Sequence, residues 1–448
     1  MMTVEQARDR ALHIVEQARK GGADATDAIF SSDAATEVSV RLGKLEDVGR
    51  SEEAELGLRV FVGDRSASVA TSDFSDAGLA ALVDRAVAMA REAPEDEWAG
   101  LAPADRLLRG EPPALDLDDG GEVSPEALKA RALEAEDAAR AVPGVSNSEG
   151  GSASAGRGVV ALATSHGFAG GYAVSSHGTS ASVLAGSGGA MERDYAYHSA
   201  RHLKHLDDPA TIGRLAGERA VARLNPGRVE SGPMPVVFDP RVGNSLLGHL
   251  LGAIAGPAIT RKTSFLLDAL GTAIFAAGVT IEDDPLRPFG LRSRPFDGEG
   301  LPVAPTTLVA DGVLQTWLLD SASALQLGLA PTGHAARGGP GAPGVSATNL
   351  HMAPGTISRD ALIADIRRGI YVTELIGMGV NGVTGDYSRG ASGFLIENGE
   401  ITTPVAEFTI AGNLIDMFKA LTPADDLALR YAINVPTLRV DGMTVASG

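Results

Sequence analysis

The stretch that decides the fold reads Gly377-Met378-Gly379-Val380-Asn381-Gly382-Val383-Thr384-Gly385-Asp386-Tyr387-Ser388-Arg389-Gly390-Ala391-Ser392-Gly393-Phe394-Leu395-Ile396-Glu397-Asn398-Gly399-Glu400. Its first six residues spell G-x-G-x-x-G, the letters of a dinucleotide-binding turn. Such a turn works only where a helix starts at the loop, so that free N–H groups and the helix dipole face the pyrophosphate. The residues after Gly382 are glycine-rich and polar, without an amphipathic period, which argues against a doubly wound nucleotide-binding sheet. The stretch ends on Asn398-Gly399, the signal of a tight hairpin between 394–396 and 401–404. From 377 to 393 it is too polar for a core and too glycine-dense for a regular strand or helix. Asn381, Asp386 and Ser388 are crowded into it. These residues are either turn formers or a loop beside a bound peptide.

Upstream of this stretch, a short buried strand at 236–238 precedes a helix from 242 to about 255, and many short strands come after it. A Gly/Pro-rich loop spans 338–344, and a short helix follows Ser358. At the other end of the chain, Thr3 and Gln6 form a capping-box pair. Val4, Ala7, Ala11, Ile14, Val15 and Ala18 then recur at helical spacing until Gly21-Gly22. From Thr36 the period becomes two, and 58–62 and 66–71 read as a hairpin across Gly63-Asp64. Ser75 caps a second helix, and Ser124-Pro125 starts a third that runs to about 141. The residues from 144 to 191 read as a meander of short strands (159–164, 168–175 and 180–185), and 195 to about 223 as a helix. Helices and strands in separate runs predict an α+β fold. An N-terminal α+β domain over 1–230, with an acidic Pro-rich excursion at 94–123, precedes a C-terminal β-rich domain with short helices over 231–448.

The chain has 448 residues, 38 basic and 57 acidic, for a net charge of −19. With no basic cluster to displace phosphate counterions, neither nucleic acid nor an anionic membrane surface is an expected partner. Cysteine is absent, which removes disulfides, thiolate metal sites and cysteine nucleophiles together. Residues 1–20 are a charged helical pattern with no signal-peptide core. The apolar runs 245–260 and 266–281 are broken by His249 and Asp268, and fall short of the ~18 residues a membrane helix needs. A cytoplasmic protein is expected. Glycine makes up 55 of 448 residues, about 12% against a usual ~7%, which favours turns and close backbone approaches.

Catalytic signatures are sparse. No serine sits in G-x-S-x-G, and neither a phosphate-binding G-x-x-x-x-G-K-[ST] nor H-E-x-x-H occurs. His198, His202 and His205 are spaced i, i+4, i+7 on the helix predicted at 195–223. That face could hold a divalent metal, or it is a solvated polar face beside Arg201 and Lys204. His249 lies on the apolar helix of 245–259, whose hydrophobicity nearly all round predicts burial in a core or interface, and hence at least a dimer.

With the C-terminal half, the chain resembles the TldD/PmbA family, and within it the PmbA (TldE) branch. The resemblance rests on the stretch 377–400, on Met191-Glu192-Arg193-Asp194-Tyr195, on the opening helix and on 413–418, and it spans nearly the whole chain. TldD-branch members are described as zinc metalloproteases with H-E-x-x-x-H on a helix, two histidines binding zinc and the glutamate activating water. On the matching helix, His249 stands at the first histidine, Leu250 at the glutamate and Ile254 at the second histidine. The third ligand of that branch, a cysteine, has no counterpart. The resemblance therefore implies a subunit with no metal and no cofactor of its own, active only with a TldD-like partner that carries the zinc, or a homodimer when alone. The implied substrates are unfolded peptides. The competing reading is a peptide-binding scaffold without a hydrolytic role. The family's older label, modulator of DNA gyrase, finds no support in this acidic chain as a direct DNA contact.

Overall fold

In the computed structural model, which describes residues 2–447, the capping box forms as expected. Thr3 Oγ1 accepts from the Gln6 N–H at 3.2 Å, and the Gln6 side chain accepts from the Thr3 N–H at 3.0 Å. Helix Val4–Lys20 turns Ala7, Ala11, Ile14, Val15 and Ala18 inward. They pack on an antiparallel six-stranded sheet in the order Arg65–Thr71, Lys44–Val62, Ala25–Arg41, Val145–Thr164, Ala169–Ala185, Glu192–Ala200. Helices Asp76–Glu92, Pro125–Arg140 and Pro209–Ala222 cover the rest of the same face, meeting Phe30, Val38, Val40 and Val183. Ile29, one residue out of phase with Phe30, points to the opposite face, as the two-residue period of a strand requires. There it joins Leu162, Phe168, Phe296 and Leu301 in a separate cluster.

The fold corrects several expectations. Residues 195–223 are not one helix: Glu192–Ala200 is an edge strand, 203–205 a single 3₁₀ turn, and the helix starts at Pro209 behind its Asp208 cap. The deciding signal is the period-two burial of Asp194, Ala196 and Ala200 between exposed Tyr195 and Tyr197. The region 144–191 forms two long strands rather than a meander of short ones. Seven of its glycines sit inside the strands; Gly150 adopts φ +124° beside a register shift, because a bulge tolerates the backbone conformation that only glycine adopts easily. The excursion at 94–123 stays irregular but is no free linker. It buries Ala102, Leu107, Leu115 and Leu117, and its Asp118 pairs with Arg157.

Farther along, strands Gly232–Phe238, Arg368–Ile376, Asp386–Glu397, Glu400–Asn413 and Leu438–Ser447 close on themselves. Pairing of Phe408 with Ser447 through Ala411 with Thr444 completes the circle, so this barrel has no open edge between its strands. The Asn398-Gly399 hairpin forms as predicted, Asn398 at φ +52° and Gly399 at φ +85°. The segment 377–393, expected to be irregular throughout, is a turn only as far as 385, and regular strand from Asp386 onward. Helix Pro240–Ala253 packs Leu246, Leu247 and Leu250 into the barrel's core. Its apolar face is thus satisfied within the chain, and the expected dimer loses that argument. A small five-stranded sheet built around Ile281–Asp283 and Leu350–Met352 flanks the barrel.

Two buried carboxyl groups stand out in this fold, Asp27 and Glu299. Asp27, on the first sheet, is gripped by Arg59 and by Arg337 from the 334–345 segment. Burial alone would raise its pKa, but the two guanidiniums outweigh burial and hold it below the ordinary value. Glu299 accepts from the Ser321 N–H at 2.9 Å and the Ser321 hydroxyl at 2.7 Å. Burial, reinforced by neighbouring Asp297, pushes its carboxyl from 4.5 up to about 7.

The unfolded chain releases that proton near pH 4.5 and the fold near 7. The fold therefore binds the extra proton between those values, and stability falls as pH rises through the window, by on the order of 3 kcal/mol. Urea titrations of wild type and Glu299→Gln should show the variant's relative stability climbing from pH 4.5 to 7 and flat above 7.5. A constant difference across the window would contradict this.

Candidate functional site

The site is organised by the start of helix Pro240–Ala253. Asp239 caps it, accepting from the Arg241 N–H at 2.9 Å, with Pro240 at the favoured first position. The other carboxylate oxygen of Asp239 accepts from the Tyr371 hydroxyl at 2.9 Å. Burial and then Asp239 raise the pKa of that phenol. Arg241 projects back to the edge strand of the first sheet and grips Asp194 with two hydrogen bonds of 2.9 and 3.2 Å. Asp194 is only 3% exposed. Burial alone would lower the pKa of Arg241, but the bonds to Asp194 override it and leave the guanidinium above its ordinary value. Arg223 lies 3.7 Å from the same carboxylate, 3.6 Å from Glu192 and 2.6 Å from Glu374. The two sheets are thus joined through one ionic cluster.

Two turns beyond Arg241, the His249 ring stands edge-on to Tyr387, with centroids 5.9 Å apart and planes at 79°. Its Nε2 is buried and lacks a partner among the described residues, as does the Tyr387 hydroxyl. Burial, then the charge of nearby Arg389, holds the imidazole below its ordinary pKa. Burial likewise pushes the Tyr387 phenol up to about 12. Leu250 and Ile254 are fully buried among apolar neighbours. Arg389, on the same strand face as Tyr387, makes no side-chain hydrogen bond or ion pair among the described residues, and its Nε is buried.

The three loop residues come together. Asn381, Asp386 and Ser388 line a shallow open groove with Met378, Gly379 and Tyr387. Asn381 Oδ1 accepts from the N–H groups of Val383 and Thr384 at 2.9 and 3.3 Å, an Asx turn. Asp386 is exposed, and its carboxylate takes bonds from Thr384 Oγ1 at 2.6 Å and Asn413 Nδ2 at 3.2 Å. These two bonds lower its pKa. Tyr387 touches both the groove and His249, and so links the loop to the helix.

The histidines proposed from helical spacing are not on one helix face. His198 lies on the edge strand, where its Nδ1 accepts from the Asp207 N–H at 3.0 Å. His202 and His205 stack on each other 5.7 Å apart, each edge-on to Phe289. Among the described residues no three His, Cys, Asp or Glu side chains are grouped to hold a metal ion. Sequence reasoning also passed over Asp194, Arg241, Thr373 and Arg389. Arg389 carried a signal, as the lone cation in the stretch 377–400.

Three domain descriptions of one family match the chain: PmbA/TldA metallopeptidase domain 1 at residues 26–90, the central domain at 118–224 and the C-terminal domain at 231–447. Metalloprotease PmbA of Escherichia coli O157:H7 is 39% identical over 445 residues, covering 99% of this chain and 96% of that protein. A crystal structure from Bacteroides thetaiotaomicron, described as a modulator of DNA gyrase, superposes with a TM-score of 0.90 at 28% identity, covering 100% of both chains. TldE from Thermococcus kodakarensis shares the fold, with a TM-score of 0.87 at 20% identity over 98% of this chain and 100% of that one. The chain belongs to the PmbA/TldD metallopeptidase family. Among the described residues no helix is long and apolar enough to cross a membrane.

Replacing Asp194 by Ala should leave the guanidinium of Arg241 without its two hydrogen-bond acceptors in a buried site. Breaking a buried pair in this way costs about 3–5 kcal/mol. Urea unfolding should register that loss, and a change below about 1 kcal/mol would contradict an ionic joint at this position.

Proposed function

We propose that this chain is the metal-free subunit of a two-component peptidase in the cytoplasm, completed by a TldD-type chain that carries the zinc and acting on unfolded peptides. The observation that carries the reading is the His249 helix. A hydrolytic zinc needs about three protein ligands, an open position and a base for its water. His249 offers one imidazole, Leu250 and Ile254 offer only buried hydrocarbon, and the charge that acts on the imidazole is the cation of Arg389. These residues do not fit a zinc ion, so no hydrolytic step is assigned to this chain.

What the chain would supply is binding surface. The groove of Asn381, Asp386 and Ser388, rimmed by Met378 at 83% exposed, suits an extended peptide whose main chain approaches glycine backbone. On this reading Asp386 orients the peptide next to the partner's metal. The division near residue 230, an N-terminal unit of 1–230 and a C-terminal unit of 231–448, would place that groove in the C-terminal unit.

Elemental analysis of the purified chain after dialysis should find far less than one zinc per chain. About one zinc per chain would overturn the reading. In the complex reconstituted with a TldD-type chain, Asp386→Ala should lower turnover about tenfold, the loss of roughly 1.4 kcal/mol of transition-state stabilisation. Its melting temperature and partner binding should stay near wild type. Early melting with unchanged turnover per folded molecule would make Asp386 a turn residue only.

A further inference from the structure

Between the edge strand Glu192–Ala200 and the barrel lies a cavity of about 330 Å³, lined by Arg193, Asp194, Arg223, Arg241, Thr373 and Arg389 among others. Its charges are unevenly matched. Arg241 is bound to Asp194 and lies 3.9 Å from Asp239. Arg223 is shared by Glu192, Asp194 and Glu374. Arg193 faces Glu149 at 3.5 Å. Every acid facing the cavity is engaged in this way, and none of them reaches Arg389 within 4 Å. A partly buried guanidinium without an anion is costly to maintain.

Thr373 is the second observation. The register of Arg368–Ile376 against Asp386–Glu397 slips between Val372 and Glu374, so Thr373 is the extra residue of a bulge, and bulges re-aim side chains. Thr373 lines the cavity and is 7% exposed, yet its hydroxyl oxygen is buried with no partner among the described residues. Leaving such a group unpaired in the interior is costly. A donor hydroxyl and an unpaired guanidinium at one cavity are together suited to a carboxylate, which accepts from both.

We propose that this cavity binds the carboxylate of a short peptide, with Arg389 and Thr373 as its donors. The volume lies at the small end of ligand cavities, ~300–1,000 Å³, which limits the bound part to one or two residues. Val242 and Leu375 on the wall give the adjoining side chain apolar contact. That the carboxylate belongs to a peptide rests on the proposed peptidase function; the cavity's preference for a carboxylate does not.

Calorimetric titration of the chain alone, without any partner, separates these points. The probes are tri-alanine, tri-alanine amide and acetyl-Ala-Asp-Ala amide. Tri-alanine should bind at least tenfold more tightly than its amide, and Arg389→Met should erase the difference. Thr373→Val should weaken tri-alanine severalfold while leaving the melting temperature near wild type. Binding of the aspartyl probe in place of tri-alanine would support the same site with a side-chain carboxylate as its ligand. Equal binding of all three probes, no binding of any, or an unchanged preference in a folded Arg389→Met protein would overturn the proposal. None of these results depends on peptidase activity, so such a failure leaves the proposed peptidase function standing. Loss of turnover in the complex with carboxylate binding intact would do the reverse.

Discussion

Asp194 is the carboxylate on which the rest of the arrangement depends. It is nearly inaccessible, on the last strand of the first sheet, and it takes two hydrogen bonds from Arg241 at the first turn of the His249 helix. The pairing fixes where that helix begins relative to the first sheet. The helix in turn seats Leu246, Leu247 and Leu250 in the barrel core and sets His249 against Tyr387. A bidentate arginine–carboxylate pair suits such a joint because it fixes orientation as well as distance. It also explains how polar the boundary is: once two ions are buried, further partners such as Glu192, Glu374 and Arg223 are needed to satisfy them.

The same logic recurs at Asp27 on the first sheet, which is gripped both by Arg59 and by Arg337 from the 334–345 segment. Phe168, Phe296, Ile29 and Leu301 form an apolar patch with Leu107 from the excursion. These ionic joints and the apolar patch together hold the first sheet against the residues that follow it. That geometry leaves His249 in a setting unlike a metal centre, with apolar residues at the two companion positions and a guanidinium close by. The family name speaks of metallopeptidases, and this chain carries the family's scaffold.

Much of this was legible in the residues. The capping box at Thr3, the helix behind Ser124-Pro125 and the Asn398-Gly399 hairpin rest on local chemistry that tertiary packing did not overrule. Leu250 and Ile254, singled out in the sequence through the family resemblance, are both buried in the fold. The region 195–223 failed because its histidines match a helical spacing, while its real period, buried Asp194 and Ala196 between exposed tyrosines, spans too few residues to dominate. The buried partners of Arg241 and Arg337 lie 47 and 310 residues away in sequence. No local pattern announces such pairings. The role of Thr373 depends on a bulge, which appears only when two strands are laid side by side.

On the proposed function, catalysis belongs to a metal in a TldD-type partner and not to His249. The direct measurement is peptide turnover by the reconstituted complex with the histidines replaced in one chain at a time. Replacing the two motif histidines of the partner should abolish turnover, whereas His249→Gln in this chain should leave it within about twofold. Turnover by this chain alone, or its loss in a folded His249→Gln complex, would contradict the account.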